Sequence, residues 1–318
     1  MPNVLANPRN WKTKAILAKL ETATGTDAAP TGALNWIEAR NVTFTPYDAE
    51  TVDRNIEMPY LGNGGKLPTG KYASLTFEAA VVGAGAAGAS PGISPLLLAC
   101  GFAETVDDTQ GEESVTYNLV SAGFSSITLY VNIDGALHKM IGARGNVTLT
   151  LTAQGIPLYK FDMQAVYLGP AAGAVPAVDK SGWQIEQPVG SLTTAGVTIA
   201  GTALAWSEFT LDLGNQISRL DLPGPQREIT ISDRKPTGAI TVLAPALDAF
   251  DPFALADAGT LIDLSTTQDN RAGYKARIDS KIQIIRPEYA QIEGNVAYRL
   301  NFEPMPVAGN DELAITYI

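Results

Sequence analysis

Histidine and cysteine are almost missing from this chain: His138 and Cys100 are the only ones among 318 residues. A single cysteine excludes an internal disulfide framework. One histidine with one cysteine excludes a transition-metal cage built within one chain. It also leaves little for nucleophilic catalysis, which needs a base held beside the nucleophile. His138, in Ala136-Leu137-His138-Lys139-Met140, reads as a half-exposed strand residue. Cys100, beside Leu97 and Leu98, reads as a small buried hydrophobe. Charge is scarce too. Charged residues make up 17%, against about 25% in ordinary globular proteins, so surface must be hidden somewhere, most simply between subunits. Basic residues number 22 against 33 acidic, a net charge of -11. Such a chain does not hold nucleic acid through a broad basic surface. No apolar run approaches the roughly 20 residues of a membrane helix. The N-terminus shows no apolar signal core, so synthesis in a reducing cytosol is expected. The acidic stretch with Asp107, Asp108, Glu112 and Glu113 lacks the spacing of a calcium loop and reads as solvated charge. No catalytic, cofactor or metal site is assigned, and the protein is not read as an enzyme.

What the chain does have is an ordered internal echo. Ala33-Leu34-Asn35-Trp36-Ile37-Glu38 returns as Ala203-Leu204-Ala205-Trp206-Ser207-Glu208. Asp53-Arg54-Asn55-Ile56-Glu57-Met58-Pro59 returns as Ser218-Arg219-Leu220-Asp221-Leu222-Pro223. Lys66-Leu67-Pro68-Thr69-Gly70 matches Arg234-Lys235-Pro236-Thr237-Gly238, and Pro95-Leu96-Leu97-Leu98-Ala99-Cys100 matches Pro252-Phe253-Ala254-Leu255-Ala256-Asp257. Each match is weak, but four in one order point to a tandem duplication. The length agrees with two domains. The expected division is an N-terminal arm over 1–33, a first domain over 34–169, a small-residue linker over 170–187 and a second domain over 188–318. A duplicated β domain suits a ring built from half as many chains as it has domains.

Period-two alternation dominates. Ser74-Leu75-Thr76-Phe77-Glu78-Ala79 and Asn146-Val147-Thr148-Leu149-Thr150-Leu151-Thr152 alternate polar and apolar. Further strands are expected at 36–45, 114–120, 126–133, 157–168, 205–213, 227–232, 238–243, 274–286, 295–303 and 312–318. Two short helices are expected, at 95–102 and 251–258. The second has Asp251 as N-cap, Pro252 at the first position and Gly259 after the end. The fold class is therefore mainly β: two tandem β-sandwich or barrel domains, each with one short flanking α-helix. Residues 52–70 read as a long loop, with 218–238 as its shorter counterpart. In the first copy 114–131 is extra, since the second has only polar 265–270 in its place. Val81-Val82-Gly83-Ala84-Gly85-Ala86-Ala87-Gly88 spells a dinucleotide fingerprint. That motif needs a helix to start within its glycines, yet Pro91 and Pro95 follow. A small-residue loop is the better reading.

Three stretches carry a family resemblance: Ile16-Leu17-Ala18-Lys19-Leu20-Glu21-Thr22-Ala23-Thr24-Gly25-Thr26-Asp27-Ala28-Ala29-Pro30, Leu137-His138-Lys139-Met140-Ile141-Gly142-Ala143-Arg144-Gly145 and Gly309-Asn310-Asp311-Glu312-Leu313. Through them nearly the whole chain resembles the tail tube proteins (major tail proteins) of long, flexible-tailed bacteriophages. The resemblance implies a virion protein assembled in the host bacterial cytoplasm. It implies β domains whose inner strands join into a barrel around a channel for double-stranded DNA. A long loop then reaches the adjacent ring, with Arg54, Tyr60, Leu61, Gly64, Lys66, Arg219 and Lys235 as its expected contacts. Most members form hexameric rings of one-domain subunits, so two domains here imply a pseudo-hexameric trimer. The partners implied are the chain itself, laterally and axially, a tape-measure protein, and tail terminator and tip proteins, with no membrane.

An acidic channel suits this role, because negative walls repel DNA over a Debye length of about 8 Å at physiological salt and let it slide. Glu78, Asp134, Asp162, Asp212 and Asp279 are the lumen-lining candidates. Two other classes remain. A tandem-β receptor-binding or decoration module would show aromatic clusters in its loops, whereas residues 52–70 hold only Tyr60. An enzyme using nucleotide through the glycine stretch would bind NAD or ATP saturably.

Overall fold

The computed structural model describes residues 8–224 and 226–318. Strands take 52% of the chain and helices 5%, so the mainly β reading holds. The first half contains β1 (Lys14–Leu20), α1 (Gly32–Asn35), β2 (Arg40–Asp53), β3 (Lys66–Ala80), α2 (Ser94–Ala99), β4 (Phe102–Asp107), β5 (Ser114–Leu119), β6 (Ile127–Ile133), β7 (Ala136–Thr152), β8 (Leu158–Tyr167) and β9 (Ala171–Ala172). The second contains β10 (Val197–Ile199), β11 (Thr202–Leu204), β12 (Trp206–Asp212), β13 (Asn215–Asp221), β14 (Arg227–Arg234), β15 (Thr237–Leu243), α3 (Pro252–Ala258), β16 (Ile262–Gln268), β17 (Ala276–Ile292), β18 (Asn295–Pro304) and β19 (Leu313–Tyr317).

Antiparallel pairing follows one order in both halves. In the first it runs β1–β6–β7–β8–β3–β2. In the second it runs β10–β16–β17–β18–β15–β12. The long strands β7 and β17 each serve two groups of partners and break register midway, between Ile141 and Arg144 and between Ile284 and Arg286. A bulge of this kind bends a strand and raises its twist. The residue after the break faces Gln164 in one half and Asn301 in the other. From there the ladders run Gln164–Ser74–Thr45 and Asn301–Ala239–Thr210. This places Phe44 where Phe209 stands. The sequence echo, which sets Glu38 against Glu208, is therefore five residues out of register there. The ladder sets Thr43 against Glu208. Trp36 lies before β2, bridged to Leu17, whereas Trp206 begins β12.

The halves join directly. Residues 148–152 of β7 pair with 208–212 of β12, Thr150 opposite Thr210. Residues 115–118 of β5 pair with β19. The Tyr159 and Tyr317 hydroxyls meet at 3.0 Å in the interior. One apolar core runs through both halves, from Phe77, Leu149 and Phe161 to Phe209, Ile240 and Phe302. Alternation builds it: Leu75, Phe77 and Ala79 of β3 are buried while Ser74, Thr76 and Glu78 between them are not. No barrel closes within the described residues.

Several expectations need correction. Residues 14–20 of the supposed arm form β1 on β6, and a third short helix, α1, follows. Only 54–65 of the supposed loop 52–70 is loop; β2 and β3 extend as a hairpin on either side. Likewise 218–238 is mostly the ribbon β13–β14, with β15 beginning at Thr237. The stem of the first hairpin is exposed on both faces, so no alternation marks it; in the second only 227–232 alternates, with Ile229 and Ile231 buried, as expected for a strand. The polar 265–270 lies largely in β16 and corresponds to β6, which leaves β4 and β5 as the extra hairpin of the first half. The supposed linker is tied down: Trp183 Nε1 donates to the Trp36 carbonyl at 2.9 Å, and Glu186 meets Arg40 at 2.5 Å.

Candidate functional site

The β7–β12 ladder makes one run of strands, β2–β3–β8–β7–β12–β15–β18, ending on the C-terminal part of β17. The side of this run away from the core is polar. Ser74, Thr76 and Glu78 lie there with Lys160, Asp162 and Gln164, then Asn146, Thr148 and Thr150, then Glu208, Thr210 and Asp212, as the alternation requires. The face is concave over its second half, where a cavity of about 600 Å³ opens with Glu208, Asp212, Arg286, Arg299 and Asn301 in its wall. Six carboxylates on the face, Glu78, Asp162, Glu208, Asp212, Glu288 and Glu303, outnumber its cations Arg40, Lys160, Arg286 and Arg299, Arg144 being covered by the β13–β14 ribbon. Neighbours hold some of them in place. Thr76 donates to Asp162 at 3.0 Å, Asn41 to Glu78 at 2.6 Å and Asn146 to Asp212 at 2.7 Å.

Three of the five acidic candidates, Glu78, Asp162 and Asp212, share this face. Asp134 and Asp279 lie off it. Asp134 sits in the β6–β7 turn with positive φ, where it accepts from the Asn10 amide. Asp279 is on the other part of β17, held by Arg277 and Ser265. Nothing in the sequence marks Glu208, Glu288 and Glu303 as members of the face, because only the ladder across β7 and β12 brings them there.

Both ends of the run carry an open edge. Among the described residues β2 pairs only with β3, and residues 285–292 of β17 pair only with β18. Their counterparts within the chain, β12 and the end of β7, cover each other.

The two hairpins differ. The first projects, with Tyr60 68% and Leu61 fully exposed at its tip. Arg54 and Gly64 lie in the same tip, where Gly64 approaches the Ile56 backbone. Lys66 starts β3, 3.4 Å from Asp53. The second hairpin folds back onto the first half. Its Arg219 donates to Asp48 at 2.6 Å and Gln164 at 2.9 Å and stacks 5.0 Å above Tyr72. Lys235 is exposed beside Asp233. Of the seven expected loop contacts, four therefore sit on the first tip and its stem end, Lys66 begins a strand, Arg219 is committed within the chain, and Lys235 is exposed just before β15.

The glycine stretch has a packing role. Gly83 and Gly85 donate to the Tyr274 and Gly273 carbonyls at 3.1 and 2.9 Å. A Cβ on Gly83 would strike the Gly273 carbonyl, and one on Gly273 would strike Gly85 and Ala86. Helix α2 starts only at Ser94. Burial pushes the Cys100 thiol well up, so it is not a ready thiolate. Burial lowers the His138 pKa, and its ring packs edge-on against Phe44 at 5.1 Å.

A family model for phage tail tube proteins matches residues 11–304, nearly the whole chain. The chain belongs to the phage tail tube protein family. No curated protein matches it. Membership gives this tail tube protein a structural role in the virion, where tube subunits assemble with one another and with other tail components. Among its described residues no helix is long and apolar enough to cross a membrane, and no cluster of three or more acidic, His or Cys side chains forms a metal site.

Proposed function

We propose that this tail tube protein closes into rings of three chains that stack into the hollow tail tube of a long, flexible-tailed phage, and that double-stranded DNA passes through it. The observation that carries this reading is the β7–β12 ladder. Each chain contributes two domains, over 34–169 and 188–318, joined by the strand pairing that the open edges of β17 and β2 can repeat between chains. By the registers above, Ile292 of one chain falls opposite Thr45 of the next, as Thr150 does opposite Thr210. Repetition covers both open edges of the run, which an isolated subunit leaves exposed to wrong pairing. The shared order of strands in the two halves supports the duplication, and hence a pseudo-hexameric ring.

The concave polar face then lines the channel, with Glu78, Asp162, Asp212, Glu208 and Glu303 in the wall. DNA is cargo and is not gripped, because affinity for phosphate needs cations to displace counterions. The tip of the first hairpin, with Tyr60 and Leu61, contacts the adjacent ring. A tape-measure protein and terminator and tip proteins bound the tube. The test is to image the purified protein at high concentration and determine its ring mass. Three chains per ring with both halves in the wall are expected. Six chains per ring, or monomers at every concentration, overturn the reading.

A further inference from the structure

The seat under the second hairpin has an empty twin. Ribbon β13–β14 lies across β7, β8 and the base of the first hairpin. Ile229 is fully buried there and its carbonyl accepts from Arg144, while Arg219 reaches Gln164, Asp48 and Tyr72. In the second half Arg286 and Asn301 stand where Arg144 and Gln164 stand in the first. No hairpin covers them. Two clefts of about 590 and 600 Å³ open there, sharing Thr237 and Glu303. The first is lined by Asp233, Glu303 and Glu312 with Arg234 and Lys235; Glu312 is 4% exposed, its Oε1 is held by Arg234 at 2.6 Å, and its Oε2 has no hydrogen-bond partner among the described residues.

The first hairpin carries the matching cation. Arg54 lies nine residues beyond Thr45, and Arg219 lies nine beyond Thr210, so ladder and sequence echo agree in pairing them. Arg219 has three partners. Arg54 is exposed, and its guanidinium makes no hydrogen bond or ion pair among the described residues. An arginine without a partner thus corresponds to a seat without an occupant.

We propose that the first hairpin of one copy straps onto the second half of its lateral neighbour in the same ring, with Arg54 against the neighbour's Asn301 and Glu303. This rests on the ring reading above. The occupant is a second copy of this chain, because the chain already shows the same ribbon on the same kind of seat. The stem of the first hairpin then acts within a ring, and only its longer tip, 55–65, is left for the ring beyond.

The test uses the full chain with Arg54→Cys and Asn301→Cys, the buried Cys100 being left in place. Assembled tubes are treated with a short bis-maleimide and resolved under denaturing conditions. Covalent species that stop at the number of chains in one ring are expected. A lateral strap closes on itself, whereas a contact between rings links without limit. Unlimited covalent strands, or tubes that form without cross-linking, overturn the strap and leave the tube reading intact. Failure of the unmodified chain to form rings overturns both. Arg54→Cys with Glu303→Cys gives a second pair should Asn301→Cys disturb β18; circular dichroism checks the fold of each.

Discussion

Arg234 shows how much single side chains hold the halves together. Its guanidinium meets Glu312 at 2.6 Å and donates to the Val120 carbonyl at 2.9 Å, and both charged groups are largely buried. Removing one partner of a buried pair leaves the other charge uncompensated. Arg234→Ala is therefore expected to cost about 3–5 kcal/mol, read as a lower urea midpoint. Asp27 works at the surface of the same structure. Burial opposes its charge, but hydrogen bonds from Lys139 at 2.8 Å, Tyr130 and the Ala29 amide outweigh burial and hold its pKa below 3.8. A carboxylate depressed in the fold stabilises at higher pH, and that contribution is lost as pH falls through the folded value. Acid should therefore loosen 21–31 from β6 and β7, followed by amide exchange. Asp27→Asn should remove that part of the pH dependence; an unchanged acid profile would show that other carboxylates govern it.

At the scale of elements, the short helices depend on their ends. Asp251 accepts from the Phe253 and Ala254 amides, both at 3.0 Å, and Gly259 closes α3 in the left-handed region. Asp251→Ala should cost about 1 kcal/mol, measurable by thermal unfolding, whereas α2, with no side-chain cap, offers no such handle. Hairpins depend on what lies beyond the chain. Leu61 is fully exposed at the first tip, and apolar residues there need a partner. Deleting residues 61–66 should leave folded subunits whose rings no longer stack. Normal tubes from that deletion would move the axial contact elsewhere.

For the whole molecule, the proposed channel makes charge on the concave face the quantity to test. Asp162→Lys or Glu208→Lys would place one new cation on every copy around and along the channel. Each can release a counterion from DNA, so drag should accumulate, slow ejection from particles, and fall with added salt. Ejection that is slowed to the same extent at every salt concentration would assign the acidity to solubility instead.

The sequence alone determined the class of fold and most of its strands. Period-two patterns such as 74–79 and 146–152 report burial on one face, and that is a local property. It also determined α3, because Asp251, Pro252 and Gly259 act on adjacent backbone, and it placed Arg54 with Arg219. Tertiary structure decided the rest. β1 and β16 are strands because β6, β10 and β17 pair with them, and backbone pairing leaves no mark in side-chain order. Of ribbon β13–β14 only 227–232 reads as a strand, because Ile229 and Ile231 alternate with polar residues and are buried, whereas β13 reads as loop because it packs on a distant segment. Whether an acidic residue joins the concave face depends on which strands lie side by side, so Asp212 and Glu208 belong to it through β7 while Asp279 does not. The glycines at 83 and 85 matter because Gly273 passes close by, 190 and 188 residues further along the chain.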